Sequence, residues 1–169
     1  GGDALNPQSS EKIYAAKGRP SDNPLIVHIA DRETLPLLVD EMPDTVGRLA
    51  ERFWPGALTI ACGVVENDVK WLEGRVEVGI RVPDHAYIQK LARKIGTFFM
   101  TSANRHGEDT PHTLEGALGS LLTAPSLAID GGLLSGAPST LVNVNLPEPK
   151  VERVGSIPES AIERVIYHV

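Results

Sequence analysis

Apolar residues in this chain form two kinds of pattern: short continuous runs, and longer stretches in which they recur every three or four positions. Continuous runs between Gly, Pro and other turn residues are typical of buried strands, whereas the second spacing is typical of helices. Strands are predicted at residues 25–29, 57–64, 76–82, 97–101, 126–130, 140–144 and 151–154. A polar connection at residues 66–75 separates the second and third strands.

Six helices are predicted around these strands. Ser9 or Ser10 can cap the first, which runs through Ala16, and Asp44 or Thr45 can cap the third. Two further helices are predicted at residues 32–40 and 85–95. The last two begin at residue 113 and near residues 157–159. This alternation predicts a mixed α/β sheet covered by helices, in which small ligands tend to bind at the carboxyl ends of strands.

Length and composition fit one domain, residues 1–169, because 169 residues with 41% hydrophobic content can bury a single core. No stretch approaches the ~18 to 20 uninterrupted apolar residues of a membrane helix. The N-terminal Gly1-Gly2-Asp3 lacks the basic and apolar regions of a signal peptide, so we expect a cytoplasmic protein with no membrane partner. The net charge of −6 argues against a wide basic face for nucleic acid, but a few focused cations can still bind a nucleotide.

Cys62, the only cysteine, lies in an apolar run. One cysteine cannot form a disulfide or a cysteine-based zinc site within the chain. We interpret it as a buried apolar residue and not a catalytic thiol, because nothing beside it in sequence would stabilise a thiolate.

Two polar clusters border predicted strands. Lys17-Gly18-Arg19, with Asn23 behind it, precedes the strand at 25–29, and Thr101-Ser102-Ala103-Asn104 ends the apolar run at 98–100. A Lys and an Arg at a bend can clamp phosphate or carboxylate oxygens, and small polar residues can bind a base, ribose or phosphate. The alternatives are a solvated basic turn for the first cluster and an ordinary turn for the second.

Two loops are weaker candidates. Residues 130–140 offer glycines and, where the next strand begins, the hydroxyl groups of Ser139 and Thr140, without the glycine spacing of a nucleotide-binding motif. Residues 106–112 contain two histidines whose spacing fits no standard zinc pattern, so we favour a flexible lid there and predict no metal site.

Taken together and in order, these segments resemble the YrdC-like family of threonylcarbamoyl-AMP synthases, from Gly2 to the end of the chain. The resemblance rests on five motifs: Lys17-Gly18-Arg19 with Asn23-Pro24-Leu25, Trp54-Pro55-Gly56-Ala57-Leu58-Thr59, Val78-Gly79-Ile80-Arg81-Val82-Pro83, Thr101-Ser102-Ala103-Asn104 and Pro138-Ser139-Thr140. It implies a twisted, mixed parallel and antiparallel sheet flanked by helices, with a concave ligand groove, in the short single-domain form of the family.

The resemblance also implies roles for particular residues. The family's tetrad of catalytic residues corresponds to Lys17, Arg19, Ser102 and Asn104. ATP contacts are implied for Arg19, Asn23, Ala103 and Arg153, with Ala103 acting through its backbone, and threonine contacts for His28, Arg81, Thr101 and Ser139.

The implied reaction makes L-threonylcarbamoyladenylate and pyrophosphate from L-threonine, bicarbonate or CO2, and ATP. Mg²⁺ is expected on the ATP phosphates. The product would feed a separate transferase complex that forms threonylcarbamoyladenosine at position 37 of tRNA. A non-catalytic RNA-binding module of the same fold is the alternative, although the acidic net charge weakens it. A second alternative is a carbamoyl-transfer domain of the hydrogenase-maturation type. Such domains normally occur with zinc-finger cysteines, whereas this chain has a single cysteine.

The chain departs from the family pattern at several positions. The family's usual strand and Pro-Thr-Asp-Thr-Val-Tyr-Gly-like turn, which supplies a threonine contact, would lie before Gly1. Either the native protein carries a further N-terminal part, or the domain lacks that strand and that contact. Asn143 stands where Asp is frequent, and Glu77 where a small residue or Thr is common. A carboxylate at residue 77 would repel ATP phosphates unless it points away from them.

Overall fold

The computed structural model describes residues 1–39, 42–64, 76–134 and 136–167. Its strands are β1 (Gly2–Asp3), β2 (Val27–His28), β3 (Leu58–Gly63), β4 (Glu77–Arg81), β5 (Phe98–Phe99), β6 (Thr140–Asn143) and β7 (Lys150–Arg153). Its α-helices are α1 (Pro7–Lys17), α2 (Asp44–Phe53), α3 (Ala86–Ile95), α4 (Leu114–Ser120) and α5 (Glu159–Tyr167), and a 3₁₀ helix covers Arg32–Leu37.

The seven strands form one sheet in the order β1-β5-β2-β4-β3-β6-β7. Two neighbouring pairs, β2 with β4 and β3 with β6, are parallel, and the other pairs are antiparallel. The prediction of a mixed α/β sheet is therefore confirmed. The part of the chain that the structure describes contains no helix long and apolar enough to cross a membrane.

The sheet has one apolar face and one polar face. Ile60 pairs with Ile80 on one side and Val142 on the other, and all three side chains are fully buried. They pack in one core with apolar residues of α1, α2 and α5. Because side chains alternate along a strand, the neighbouring residues Glu77, Gly79 and Arg81 of β4 lie on the opposite face and are only half-buried.

Helix ends agree with the prediction at two places. Thr113 caps α4 through the N–H of Gly116, and Gly96 follows the last residue of α3. The cap predicted at Asp44 or Thr45 is wrong, because Pro43 precedes α2 and no side chain of the described residues caps this helix. The first helix begins earlier than predicted, because the side chain of Asn6 accepts the N–H of Gln8 and Pro7 occupies the first turn.

Two predicted elements were wrong and one strand was missed. Residues 126–130 form no strand, and Leu127 and Ile129 are exposed, so the apolar run has no paired neighbour in the described sheet. The helix predicted at 32–40 is a 3₁₀ helix that ends at Leu37; Pro36 lies inside it and has no N–H to donate. The short strand β1 carries no apolar pattern that could have predicted it.

The interpretation of Cys62 as a buried apolar residue is confirmed. Cys62 is buried in the core, where desolvation raises the pKa of its thiol to about 12. Trp54 is also in the core, and its indole N–H donates to the carbonyl of Leu58. The predicted polar connection at 66–75 falls outside the described residues.

Candidate functional site

A cavity of about 920 Å³ lies over the polar face of the sheet. Eight of the eleven predicted site residues line it: Arg19, Asn23, His28, Arg81, Thr101, Ser102, Ser139 and Arg153. The other three, Lys17, Ala103 and Asn104, do not. His28 and Arg81 are paired at the carboxyl ends of the parallel strands β2 and β4, as expected for a ligand site in such a sheet.

Lys17 lies behind the cavity wall and not in it. Its side chain is buried, and its Nζ donates to the carbonyls of Ser102 at 2.5 Å and Asn104 at 2.6 Å and to Asn104 Oδ1 at 3.1 Å. Burial and the nearby charge of Arg19 lower the pKa of the lysine to about 8. All three donors of the ammonium group are thus used to hold the loop at 102–104.

The same loop is also fixed from other directions. The amide of Asn104 donates to the carbonyls of Arg105 and Glu108, and the N–H of His106 donates to the carbonyl of Lys17. Asn104 is therefore a buried structural link between the end of α1 and the loop after β5. Ser102, which lines the cavity, is held in place by these neighbours.

Arg19 and Asn23 form a compact unit at the cavity edge. Arg19 Nη2 donates to Asn23 Oδ1 and to the carbonyl of Pro24, both at 2.7 Å, and its Nε donates to the Asn23 carbonyl at 3.3 Å. The hydroxyl of Tyr14, a residue that sequence reasoning missed, donates to the same Asn23 carbonyl at 3.1 Å. We call Arg19, Asn23 and Ser102 the first wall of the cavity.

Arg81, Ser139 and Arg153 form the second wall. Arg81 Nε donates to the Gly56 carbonyl at 2.8 Å. Arg153 donates to the Ser139 carbonyl through Nε at 3.1 Å and through Nη2 at 2.9 Å, and Nη2 also donates to Ser139 Oγ at 3.1 Å. Residues predicted to contact different substrates, Ser139 and Arg153, are thus bonded to each other.

The second wall carries positive charge. Desolvation, and next the charge of Arg153, lower the pKa of Arg81. Within the described ranges, neither Arg81 nor Arg153 forms a salt bridge with a carboxylate. Two neighbouring guanidinium groups without such a partner favour an anion in the cavity, such as a carboxylate or phosphate.

His28 is a neutral residue between the walls. Burial, then the charge of Arg81, lower its pKa to about 4, so the ring is uncharged near neutral pH. Its Nδ1 lies 3.3 Å from the Ile26 carbonyl, which can only accept, and we therefore assign the proton to Nδ1. Nε2 is then left as a hydrogen-bond acceptor.

The cavity also has an acidic end that the sequence motifs did not predict as part of the site. Glu77 and Glu152 line it, and the buried amide of Asn143 donates to both carboxylates, at 3.3 Å and 2.9 Å. Glu77 begins β4 and Arg81 ends it, so their backbones lie roughly 13 Å apart along the strand. Glu77 is thus separate from Arg81, with the small residues Gly79 and Ala61 between them, whereas Glu152 directly precedes Arg153 in β7.

Loop residues close the cavity from above the sheet. Asp109, Thr110 and His112 line it, as do residues 136–138. The two loops are joined because the N–H of Leu134 donates to the His112 carbonyl at 2.9 Å and His112 Nδ1 lies 2.5 Å from the Leu134 carbonyl. Among the residues described, no three His, Cys, Asp or Glu side chains are grouped so that they could hold a metal ion.

Comparison with known proteins identifies relatives over nearly the whole chain. The family model Sua5_yciO_yrdC, described as telomere recombination, matches residues 1–155. The chain is 38% identical to the threonylcarbamoyl-AMP synthase of Bacillus subtilis and 36% identical to that of Pyrococcus abyssi. Both alignments include 98% of this chain, but only 49% of the first relative and 50% of the second.

A solved structure agrees with the sequence comparison. The crystal structure of Sua5 from P. abyssi complexed with L-threonine is 35% identical and superposes with a TM-score of 0.89, covering 99% of this chain and 51% of that one. The chain thus spans about half the length of these relatives. With a family model that matches residues 1–155 and a shared fold, the chain belongs to the Sua5/YciO/YrdC family.

Proposed function

We propose that the protein makes L-threonylcarbamoyladenylate and pyrophosphate from L-threonine, bicarbonate or CO2, and ATP. The observation that carries this proposal is the meeting of eight predicted site residues on one cavity, although they come from separate parts of the chain. Relatives named threonylcarbamoyl-AMP synthase support it, as does the relative whose structure contains L-threonine. These names describe enzymes, which favours catalysis over the RNA-binding alternative.

Threonine would bind between His28 and the second wall. The Arg81 guanidinium is suited to the amino acid carboxylate, with Ser139 and Thr101 as further polar contacts. His28 Nε2, as an acceptor, would suit a hydroxyl or amine proton of the substrate. The neutral ring adds no positive charge to repel an amino group.

ATP would bind along the first wall and reach across to Arg153. Arg19 offers a guanidinium beside Asn23, and Arg153 offers a second cation on the other side of the cavity. Ser102 lines the cavity next to Ala103, whose predicted contact with ATP would use its backbone. Lys17 and Asn104 would act indirectly, because their polar atoms hold the loop that carries Ser102.

The chemistry requires alignment more than a protein nucleophile. The threonine amine adds to CO2 and loses a proton, which gives a carbamate. A carbamate oxygen then attacks the α-phosphorus of ATP, the new P–O bond forms as the bond to the β-phosphate oxygen breaks, and pyrophosphate leaves. Arginines fixed on both sides of the cavity would neutralise the charge that accumulates on the phosphates.

Mg²⁺ would be bound through phosphate oxygens and water, which matches its preference for a partly hydrated shell. The product would pass to a separate transferase complex that modifies tRNA. Direct binding of tRNA is not needed for the proposed reaction.

Pyrophosphate release by the intact protein tests this proposal. We expect release to require ATP, threonine and bicarbonate together, with formation of the adenylate detected by mass spectrometry. Arg19→Ala should remove most of the activity, whereas Arg32→Ala, which changes an exposed arginine in a surface ion pair, should not. The proposal is wrong if the intact protein releases no pyrophosphate and forms no adenylate, and salt-dependent tRNA binding without ATP or threonine would then favour the RNA-binding alternative.

A further inference from the structure

The segment at residues 54–59 carries a family motif but contributes none of the residues that line the cavity, although all six are described. It is nevertheless bonded to two residues of the second wall. The Gly56 carbonyl accepts from Arg81 Nε at 2.8 Å, and Thr59 Oγ1 lies 2.7 Å from Ser139 Oγ. One segment thus supports both residues at the proposed threonine end of the cavity.

The direction of the hydrogen bond between the two hydroxyl groups can be assigned from burial. Thr59 is fully buried, and within the described ranges Ser139 Oγ is the one partner of its hydroxyl. If Ser139 were the donor, the Thr59 proton would be buried without an acceptor, which is unfavourable. Thr59 therefore donates and Ser139 accepts.

This assignment determines what Ser139 can offer to a ligand. A serine hydroxyl has two lone pairs and one proton. Thr59 and Arg153 Nη2 each donate to the Ser139 oxygen and so occupy both lone pairs. The proton alone is left for a group in the cavity, which makes Ser139 a hydrogen-bond donor.

The backbone around Ser139 is fixed independently of Thr59. Gly155 approaches so closely that a Cβ atom at that position would lie 2.1 Å from the Pro138 carbonyl oxygen. Arg153 also holds the Ser139 carbonyl with two hydrogen bonds. Thr59 is itself held by packing, since its Cγ2 would lie 3.1 Å from a Cβ atom at Gly79. What the Thr59 hydroxyl adds is therefore the orientation of the serine hydroxyl.

We propose that Thr59 is a positioning residue that makes Ser139 a dedicated hydrogen-bond donor to an anionic oxygen of the amino acid substrate. The inference rests on the proposed function, because it places the threonine carboxylate or its carbamate beside Ser139. Arg81 would supply the charge and Ser139 the directed proton for the same anionic end of the ligand.

The test measures threonine affinity by calorimetry in four variants of the intact protein. Thr59→Val keeps the shape and the methyl group at Gly79 but removes the hydroxyl, and should weaken threonine binding about fivefold. Thr59→Ser keeps the hydroxyl and should bind threonine nearly as the unmodified protein does. In a Ser139→Ala background, Thr59→Val should cause no further loss, because Thr59 acts through Ser139. The KM for ATP should change little in Thr59→Val.

Other outcomes of these measurements would contradict the proposed role of Thr59. Unchanged threonine affinity in Thr59→Val, or equal loss in Thr59→Val and Thr59→Ser, would overturn the positioning role while leaving the proposed function intact. So would additive losses in the double variant. If the unmodified protein does not bind threonine at all, the proposed function fails and this inference fails with it.

Discussion

The two walls of the cavity are held in place by different chemistry. The first wall depends on a buried cation, because Lys17 uses its three donors on Ser102 and Asn104. The second wall depends on neutral groups, the Gly56 carbonyl and the Thr59 hydroxyl. Replacing a buried cation leaves several acceptors unpaired at once, whereas a neutral contact can be lost singly. The first wall should therefore fail together with local stability, and the second should fail in function alone.

Lys17→Met should have the largest effect because it removes the support of the first wall. The carbonyls of Ser102 and Asn104 would lose a charged donor in a buried place, so we expect the free energy of unfolding to fall by about 2–4 kcal/mol. Activity should fall at least about 100-fold, because Ser102 would lose its position. Chemical denaturation and pyrophosphate release measure the two effects.

Lys12→Met is the matched control, since Lys12 is an exposed lysine on the same helix. It should change both quantities little. If Lys17→Met were as stable and as active as Lys12→Met, the buried cation would not hold the first wall.

Arg81→Gln should break the second wall without unfolding the protein. The change loses one hydrogen bond to Gly56 but also removes a partly desolvated charge near Arg153; desolvation, and then the charge of Arg153, lower the pKa of Arg81. We expect the KM for threonine to rise about 10- to 100-fold, which corresponds to a lost charged contact, with a nearly unchanged unfolding midpoint. Arg93→Gln, on the exposed side of α3, is the control. A rise in the KM for ATP alone would contradict the assignment of Arg81 to threonine.

His28 lies between the walls and should make stability depend on pH. Its pKa is lowered to about 4 in the folded protein, against 6.5 as the ordinary value. Between these values the unfolded chain binds a proton that the folded protein does not, so the stability present above pH 6.5 is lost as pH falls towards 4. The loss should reach roughly 1–3 kcal/mol.

The measurement compares the unmodified protein with His28→Gln at pH 7 and pH 4.5. Acid-sensitive groups elsewhere are shared by both proteins, so the difference between their unfolding free energies isolates His28. Parallel pH dependences would show that the ring is not buried as a neutral group.

The sequence predicted much of the fold because β3 is an apolar run and β4 alternates buried apolar residues with half-buried ones, so that both strands pack in the core. The prediction from sequence failed where the pairing of strands, rather than the composition of a segment, decides whether that segment becomes a strand. Residues 126–130 are as apolar as a strand but have no partner in the described sheet, and β1 pairs with β5 although Gly2 and Asp3 carry no strand signal. Neighbours in space cannot be deduced from the period of a single segment.

In the candidate site, too, the sequence of a segment does not determine which of its side chains face the cavity. Lys17 and Arg19 look alike in sequence, yet Lys17 is buried behind the wall and Arg19 lines the cavity. Gly18 separates them in the left-handed conformation that ends α1, which turns the chain between the two side chains. Thr59 was missed for the opposite reason, because it lies in an apolar run and its polar contact is to a residue 80 positions away.

Tyr14→Phe should have the smallest effect and tests whether the first wall serves ATP alone. The variant removes the hydroxyl that donates to the Asn23 carbonyl, while the ring and the bonds from Arg19 to Asn23 and Pro24 are kept. One neutral hydrogen bond is worth about 1 kcal/mol, so the KM for ATP should rise about fivefold at most. The KM for threonine should stay constant, the reverse of the result expected for Thr59→Val. Tyr87→Phe, on an exposed tyrosine, is the control, and equal changes in both KM values would mean that the first wall does not serve ATP alone.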